Sequence, residues 1–159
     1  MYRIFRDDDI NRFTDIATFQ KIHELFLKYN KVHTCVVEMK DLWESRGLWH
    51  LLMTLPNIEI ALHCWEHMDY SIMTFEQARV EIQKALDYFA IRCNGGYGRV
   101  KIIKVMYPPW NRISNDLKKA CDSCGLILDN RHDNEVLNFH WWECLNSAAF
   151  KDLEENLKK

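Results

Sequence analysis

The stretch Asn57-Ile58-Glu59-Ile60-Ala61-Leu62-His63-Cys64-Trp65-Glu66-His67-Met68-Asp69-Tyr70 organises the chain. Ile58 to Leu62 is a β-type run, and it delivers the backbone into two histidines with Glu66 and Asp69 close by. Histidines at i and i+4 share one face of a helical turn and can bind one divalent ion if a third ligand arrives from elsewhere. Two ordinary histidines on a surface turn have the same spacing, so the pair alone is a weak signal. Its position says more. In parallel α/β folds reactive groups collect at the C-terminal ends of strands, and this pair directly follows a buried-looking one.

Working outward, Tyr2 to Arg6 reads as a first strand stopped by Asp7-Asp8-Asp9. Phe13, Ile16, Ala17, Phe19, Ile22, Leu25, Phe26 and Tyr29 recur at three and four, which predicts an amphipathic helix over 13–29. Val32 to Val37 is a second strand, and a shorter helical piece spans Leu48 to Leu55. Downstream, Thr74-Phe75-Glu76-Gln77 is a capping box that opens a long helix ending before Asn94-Gly95-Gly96. Val100 to Met106 is a fourth strand, ended by Pro108-Pro109. Ser114 caps a helix running through Cys121, with Gly125 as its stop. Leu126 to Leu128 and Val136 to His140 are further strands, and Ser147 to Leu157 is a closing helix.

Strands alternating with helices predict an α/β fold with a parallel sheet. A full eight-fold barrel typically needs ~250 residues. With 159 residues, the expectation is a single domain over 1–159, a small, distorted or incomplete parallel (β/α) barrel of about five to seven strands. A net charge of −2 from 21 basic and 23 acidic residues gives no field that would gather nucleic acid or an anionic membrane. No apolar run approaches the roughly 20 residues of a membrane span, and the N-terminus has no export-signal pattern, so the chain is expected to be cytoplasmic. The six cysteines are then expected to be reduced thiols. Cys121-Asp-Ser-Cys124 has the spacing of a zinc half-site but lacks a second half, and reads as packing.

Polar clusters follow successive strands: Asp7-Asp8-Asp9, then His63 and His67, then Pro108-Pro109-Trp110-Asn111, then Asp129, then His140. In a parallel barrel those ends converge on one face, so the aspartates can supply the third ligand. Three like charges in a row are also costly unless a cation or water screens them. A solvated turn is the alternative reading of the aspartates.

Taken in order, Arg6-Asp7-Asp8-Asp9-Ile10, His63-x3-His67, Tyr107-Pro108-Pro109-Trp110 and Asn138-Phe139-His140 resemble the motifs of the polysaccharide deacetylase (NodB-homology, carbohydrate esterase family 4) superfamily, over residues 5 to 140. The resemblance implies one divalent metal ion, with zinc the best match to two imidazoles and a carboxylate. It implies Asp9, His63 and His67 as ligands, Asp8 as general base, His140 as general acid, and the Trp110 backbone N–H as an oxyanion donor. The triple aspartate leaves the register open by one residue. The implied activity is removal of an acetyl group from an N-acylated sugar or a related small-molecule amide. Two departures stand out. Tyr107 occupies the place of an arginine that steadies the catalytic aspartate, and Asp129 only partly matches the aspartate near the acid histidine. A non-catalytic metal-binding or interaction module is therefore the alternative. His63-x-x-Glu66-His67 also fits the inverted zincin pattern, which requires both histidines inside one long helix. Substrate identity and oligomeric state are not readable from the residues.

Overall fold

The computed structural model describes residues 4–93, 101–131 and 135–159. Six strands, β1 (Ile4–Ile10), β2 (His33–Glu38), β3 (Ile58–Cys64), β4 (Lys101–Met106), β5 (Ile127–Leu128) and β6 (Val136–His140), form one sheet in the order β5-β4-β3-β2-β1-β6. All neighbouring pairs are parallel. The sheet curls into a half-barrel whose edges, β5 and β6, do not meet, which is the expected incomplete parallel barrel.

Five helices cover the convex side: α1 (Ile16–Lys28), α2 (Arg46–Thr54), α3 (Phe75–Cys93), α4 (Asn115–Ser123) and α5 (Ser147–Leu157). The starts of all but α2 are set by side chains that satisfy otherwise orphaned N–H groups. Asp15 accepts from the Thr18 amide at 2.8 Å, Ser114 from Leu117 at 3.1 Å, and Asn146 from Ala148 at 2.8 Å. The capping box at α3 is reciprocal, with the Thr74 amide donating to Gln77 at 2.9 Å and the Gln77 amide to Thr74 at 3.4 Å. Gly125 follows α4 with a φ of 71°, where a glycine carries no Cβ penalty. The breaker expected at 94–96, and the first residues of β1 and β4 as read from sequence, lie outside the described residues.

Because side chains alternate across a strand, the two faces of the sheet differ. Outward-facing Cys35, Val37, Ile58, Ile60 and Leu62 pack with Leu48, Leu52, Ala78, Ile82, Ala85 and Leu117. Phe5 and Phe139 pack with Ile22, Phe26, Leu153 and Leu157. The concave face carries Val36, Ala61 and Tyr107, and beside them the polar Arg6 and Asp8 from β1 and His63 from β3. Cys121 is buried with its Sγ 3.5 Å from Met106 Sδ, and Cys124 is a separate free thiol, so this pair packs as expected.

Two local expectations are corrected. The aspartates do not stop β1; they are part of it, and Asp7 and Asp8 are buried. His63 and His67 do not share a helical turn: His63 lies in β3 and His67 in the bend after it. That also removes the inverted zincin reading.

A buried polar chain runs behind β1. Asp7 Oδ2 lies 3.2 Å from His33 Nε2, and His33 Nδ1 lies 3.3 Å from His23 Nδ1. Burial lowers both imidazoles, His23 to about 4 and His33 to about 3, while burial and neighbouring Asp8 raise Asp7. As the pH falls below 6.5 the unfolded chain protonates both histidines, and the folded chain does not until about 4. The unfolded state takes up protons that the folded state refuses, so stability falls on acidification through this window; the raised Asp7 carboxyl, which takes up its proton earlier in the folded chain, opposes part of that fall. Thermal melts from pH 7 to 4.5 should show this decline, and His23→Leu should flatten it.

Candidate metal centre

The site is built where the sheet is irregular. Pairing of β1 with β2 slips between Asp7 and Ile10, and Asp9 within that slip has a φ of 59°. A bulge of this kind re-aims a side chain. Here it turns Asp9 toward the ends of β3 and β6, away from the strict alternation that sends Asp7 to the helices and Asp8 to the concave face.

Asp9 Oδ1 lies 2.8 Å from His63 Nε2 and 3.2 Å from His67 Nε2. The ligand atoms of these three residues all fall within 4.8 Å of one another. His63 Nδ1–H donates to the Tyr107 carbonyl at 2.6 Å. A carbonyl can only accept, so in the neutral ring Nε2 is a lone pair, and it faces a carboxylate oxygen that is also an acceptor. Apart from this contact and that of His67, His63 Nε2 and Asp9 Oδ1 have no polar partner. Two acceptors so close require a cation between them, either a proton or a metal ion. The N2O donor set and the fixed tautomer of His63 suit a divalent metal. Burial raises the Asp9 carboxyl, but hydrogen bonds from His63 and His67 win and hold it well below the usual carboxylate range. The same bond to Asp9 raises His67 against the opposing effect of burial.

Asp8 faces His140 directly across the β1–β6 pair. Burial lifts its carboxyl above the usual range, opposed by the charges of Arg6 and His63. Arg6, fully buried, sets Nε 2.8 Å from Asp8 Oδ1 and Nη2 2.9 Å from Oδ2. Its guanidinium carbon lies 4.5 Å from the Tyr107 ring centroid. The position occupied by Tyr107 thus supplies an aromatic shelf, and the guanidinium beside Asp8 comes from β1.

His140 has Nε2 3.8 Å from Asp9 Oδ2 and Nδ1 3.3 Å from Glu143 Oε2. Glu143 also accepts from the His140 amide at 2.8 Å, and the Trp142 ring stacks on the imidazole at 4.3 Å. Asp129 does not take this supporting part; Arg131 clamps it, with Nη2 2.8 Å and Nε 3.0 Å from its oxygens. Trp110 presents its ring edge-on to His67 at 4.5 Å. Trp110 and Asn111 have φ values of 52° and 54°, a conformation that costs a tryptophan on the order of 1–3 kcal/mol and persists only where contacts enforce it. Sequence reasoning gave no role to Arg6 or Glu143, and placed Asn111 only within the cluster that follows the fourth strand. Arg6 was legible, since it shares the face of Asp8 two positions along a strand.

No family model and no curated protein matches the sequence. Solved structures do. A family 4 carbohydrate esterase from Streptomyces lividans, in complex with acetate, superposes with a TM-score of 0.70 at 15% identity, covering 98% of this chain and 87% of that one. The fold is that of the family 4 carbohydrate esterases. A family 4 pseudoenzyme from Bacillus anthracis aligns at TM-score 0.69 and 15% identity over 98% of this chain and 61% of its own, and a mutant of it has restored enzymatic activity. A family 4 acetyl xylan esterase from Clostridium thermocellum, in complex with a cobalt ion, aligns at TM-score 0.61 and 19% identity over 80% of this chain and 57% of its own. This chain therefore spans under two thirds of the length of the last two. No helix among the described residues is long and apolar enough to cross a membrane.

The Arg6–Asp8 pair has a direct test. Arg6→Met strands a buried carboxylate and should cost about 3–5 kcal/mol, whereas Arg6→Met with Asp8→Leu should recover most of it. Chemical denaturation of the three proteins measures both.

Proposed function

We propose that the protein is a metal-dependent hydrolase that removes an acetyl group from an N-acylated sugar or a related amide. The observation that carries this reading is one cluster of groups: Asp9, His63 and His67 converge on a cation-demanding point, with Asp8 and His140 opposite each other beside it. Asp9 Oδ1, His63 Nε2 and His67 Nε2 would hold the ion, and two imidazoles with one carboxylate suit zinc. Once bound, such an ion is a Lewis acid that acidifies water and polarises an acyl carbonyl.

The chain's own groups account for the proton movements. Asp8 accepts the proton of the attacking water, and its carboxyl, lifted by burial, is a better base than a solvated one. His140 carries its proton at Nε2, toward the site, and delivers it to the departing amine. Glu143 holds the Nδ1 side of that ring and so keeps Nε2 turned to the site. The Trp110 N–H donates to the oxygen on which charge develops. The acetate-bound and cobalt-bound relatives support this chemistry, and the pseudoenzyme relative makes a non-catalytic module the outcome to test against.

Two results are expected. Elemental analysis should find one divalent ion per chain, and His63→Ala or His67→Ala should abolish it; saturation at 100 times the Kd should stabilise the wild type by about 2.7 kcal/mol. With zinc loaded, Asp8→Asn should keep the ion and lose about 10²–10⁴-fold in acetate release, and His140→Ala should slow amides more than activated esters. Equal background release by wild type and both variants would leave the non-catalytic module as the better account.

A further inference from the structure

We infer that Arg6 is a positioning residue that fixes Asp8 and the Tyr107–Asn111 segment as one unit. The inference deepens the deacetylase reading and rests on it for its catalytic consequence. Nη2 carries two hydrogens, and the structure gives it two acceptors, Asp8 Oδ2 at 2.9 Å and Asn111 Oδ1 at 2.8 Å. Nε lies 2.8 Å from the other Asp8 oxygen as an ion-pair contact without hydrogen-bond geometry, and the guanidinium carbon lies 4.5 Å from the Tyr107 ring centroid. One planar, fully buried cation therefore touches the proposed base and both ends of a short segment.

That segment needs holding. Trp110 and Asn111 are consecutive residues with positive φ, and the segment is otherwise tied by the Tyr107 amide to the Leu62 carbonyl at 2.9 Å and by His63 to the Tyr107 carbonyl. Those ties fix its start. Its far end is held to β1 by Asn111 on Arg6, with Arg112 Nη1 on Asp69 at 2.6 Å one residue further along. Asp8 and the Trp110 N–H come from strands that are not neighbours, β1 and the end of β4, so the sheet's own hydrogen bonds do not set their spacing. Arg6 does. A lysine at this position keeps the charge but has one nitrogen and no fork, and cannot hold two carboxylate oxygens and Asn111 in one plane.

The test uses the zinc-loaded full chain. Two variants are compared with wild type: Arg6→Lys, which removes the fork, and Asn111→Ala, which removes only the tie to the segment and keeps Arg6 on Asp8. Amide hydrogen exchange at Asn111 and Arg112, whose N–H groups donate to Pro108 and Pro109, should rise on the order of tenfold in both, with the rest of the sheet unchanged. Acetate release by Arg6→Lys should fall roughly 10²-fold in kcat with KM within about threefold, since a misplacement near 1 Å is felt in the chemical step. Unchanged exchange in both variants overturns the inference, as does raised exchange with unaltered kcat. If Arg6→Lys does not fold, exchange in Asn111→Ala decides. If wild type releases no acetate from any N-acetylated sugar or amide, the deacetylase reading fails, and the exchange measurement still judges Arg6.

Discussion

A carboxylate taken from water into a protein interior loses several kcal/mol of hydration unless a cation or a set of hydrogen bonds replaces it, and β1 carries three in succession. Each has a different remedy. Asp7 points to the helices and meets His33, with its carboxyl raised by burial. Asp8 points to the concave face and meets Arg6. Asp9, turned by the bulge, meets His63 and His67. Two of the three are thereby settled inside the chain. The third faces two imidazoles at one end of the half-barrel, and it is the carboxylate that the proposed metal ion would settle.

The open sheet explains why the site is reachable. With β5 and β6 at its edges, the sheet leaves Asp9, His67 and His140 partly exposed at its strand ends, while Arg6, Asp8 and His63 are buried beneath them. The segment after β4 closes one side of the site by backbone strain rather than by an extended element. Trp110 is over half exposed at that rim, and Trp142 flanks the opposite one over His140.

Much of the fold was legible. Apolar runs of strand length alternating with capped amphipathic helices are local signals, and they recovered all six strands, the five helices and the incomplete barrel. The places where the reading failed are those where long-range pairing overrides local chemistry. Consecutive aspartates look like a turn because their compensation by His33, Arg6, His63 and His67 cannot be seen along the chain. Two histidines at i and i+4 look helical, yet the strand and the bend after it bring them to one point just as well. Glu143 sits three residues beyond His140 and supports it through a short 3-10 turn that no motif announces, while the more conspicuous Asp129 is taken by Arg131, its neighbour at two positions. The site's ordered spacing was visible, and so was Arg6 by its place two positions before Asp8; Glu143 was not.

The central claim is that Asp9, His63 and His67 form a cation site defined by strand ends. Crystals soaked in a cobalt salt, with anomalous diffraction collected at the cobalt edge, test it most directly. The account predicts a single strong peak in contact with Asp9 Oδ1, His63 Nε2 and His67 Nε2, with His63 Nδ1 still on the Tyr107 carbonyl. A crystal without that peak, or with cobalt held by other residues while these three remain paired to one another, would contradict it.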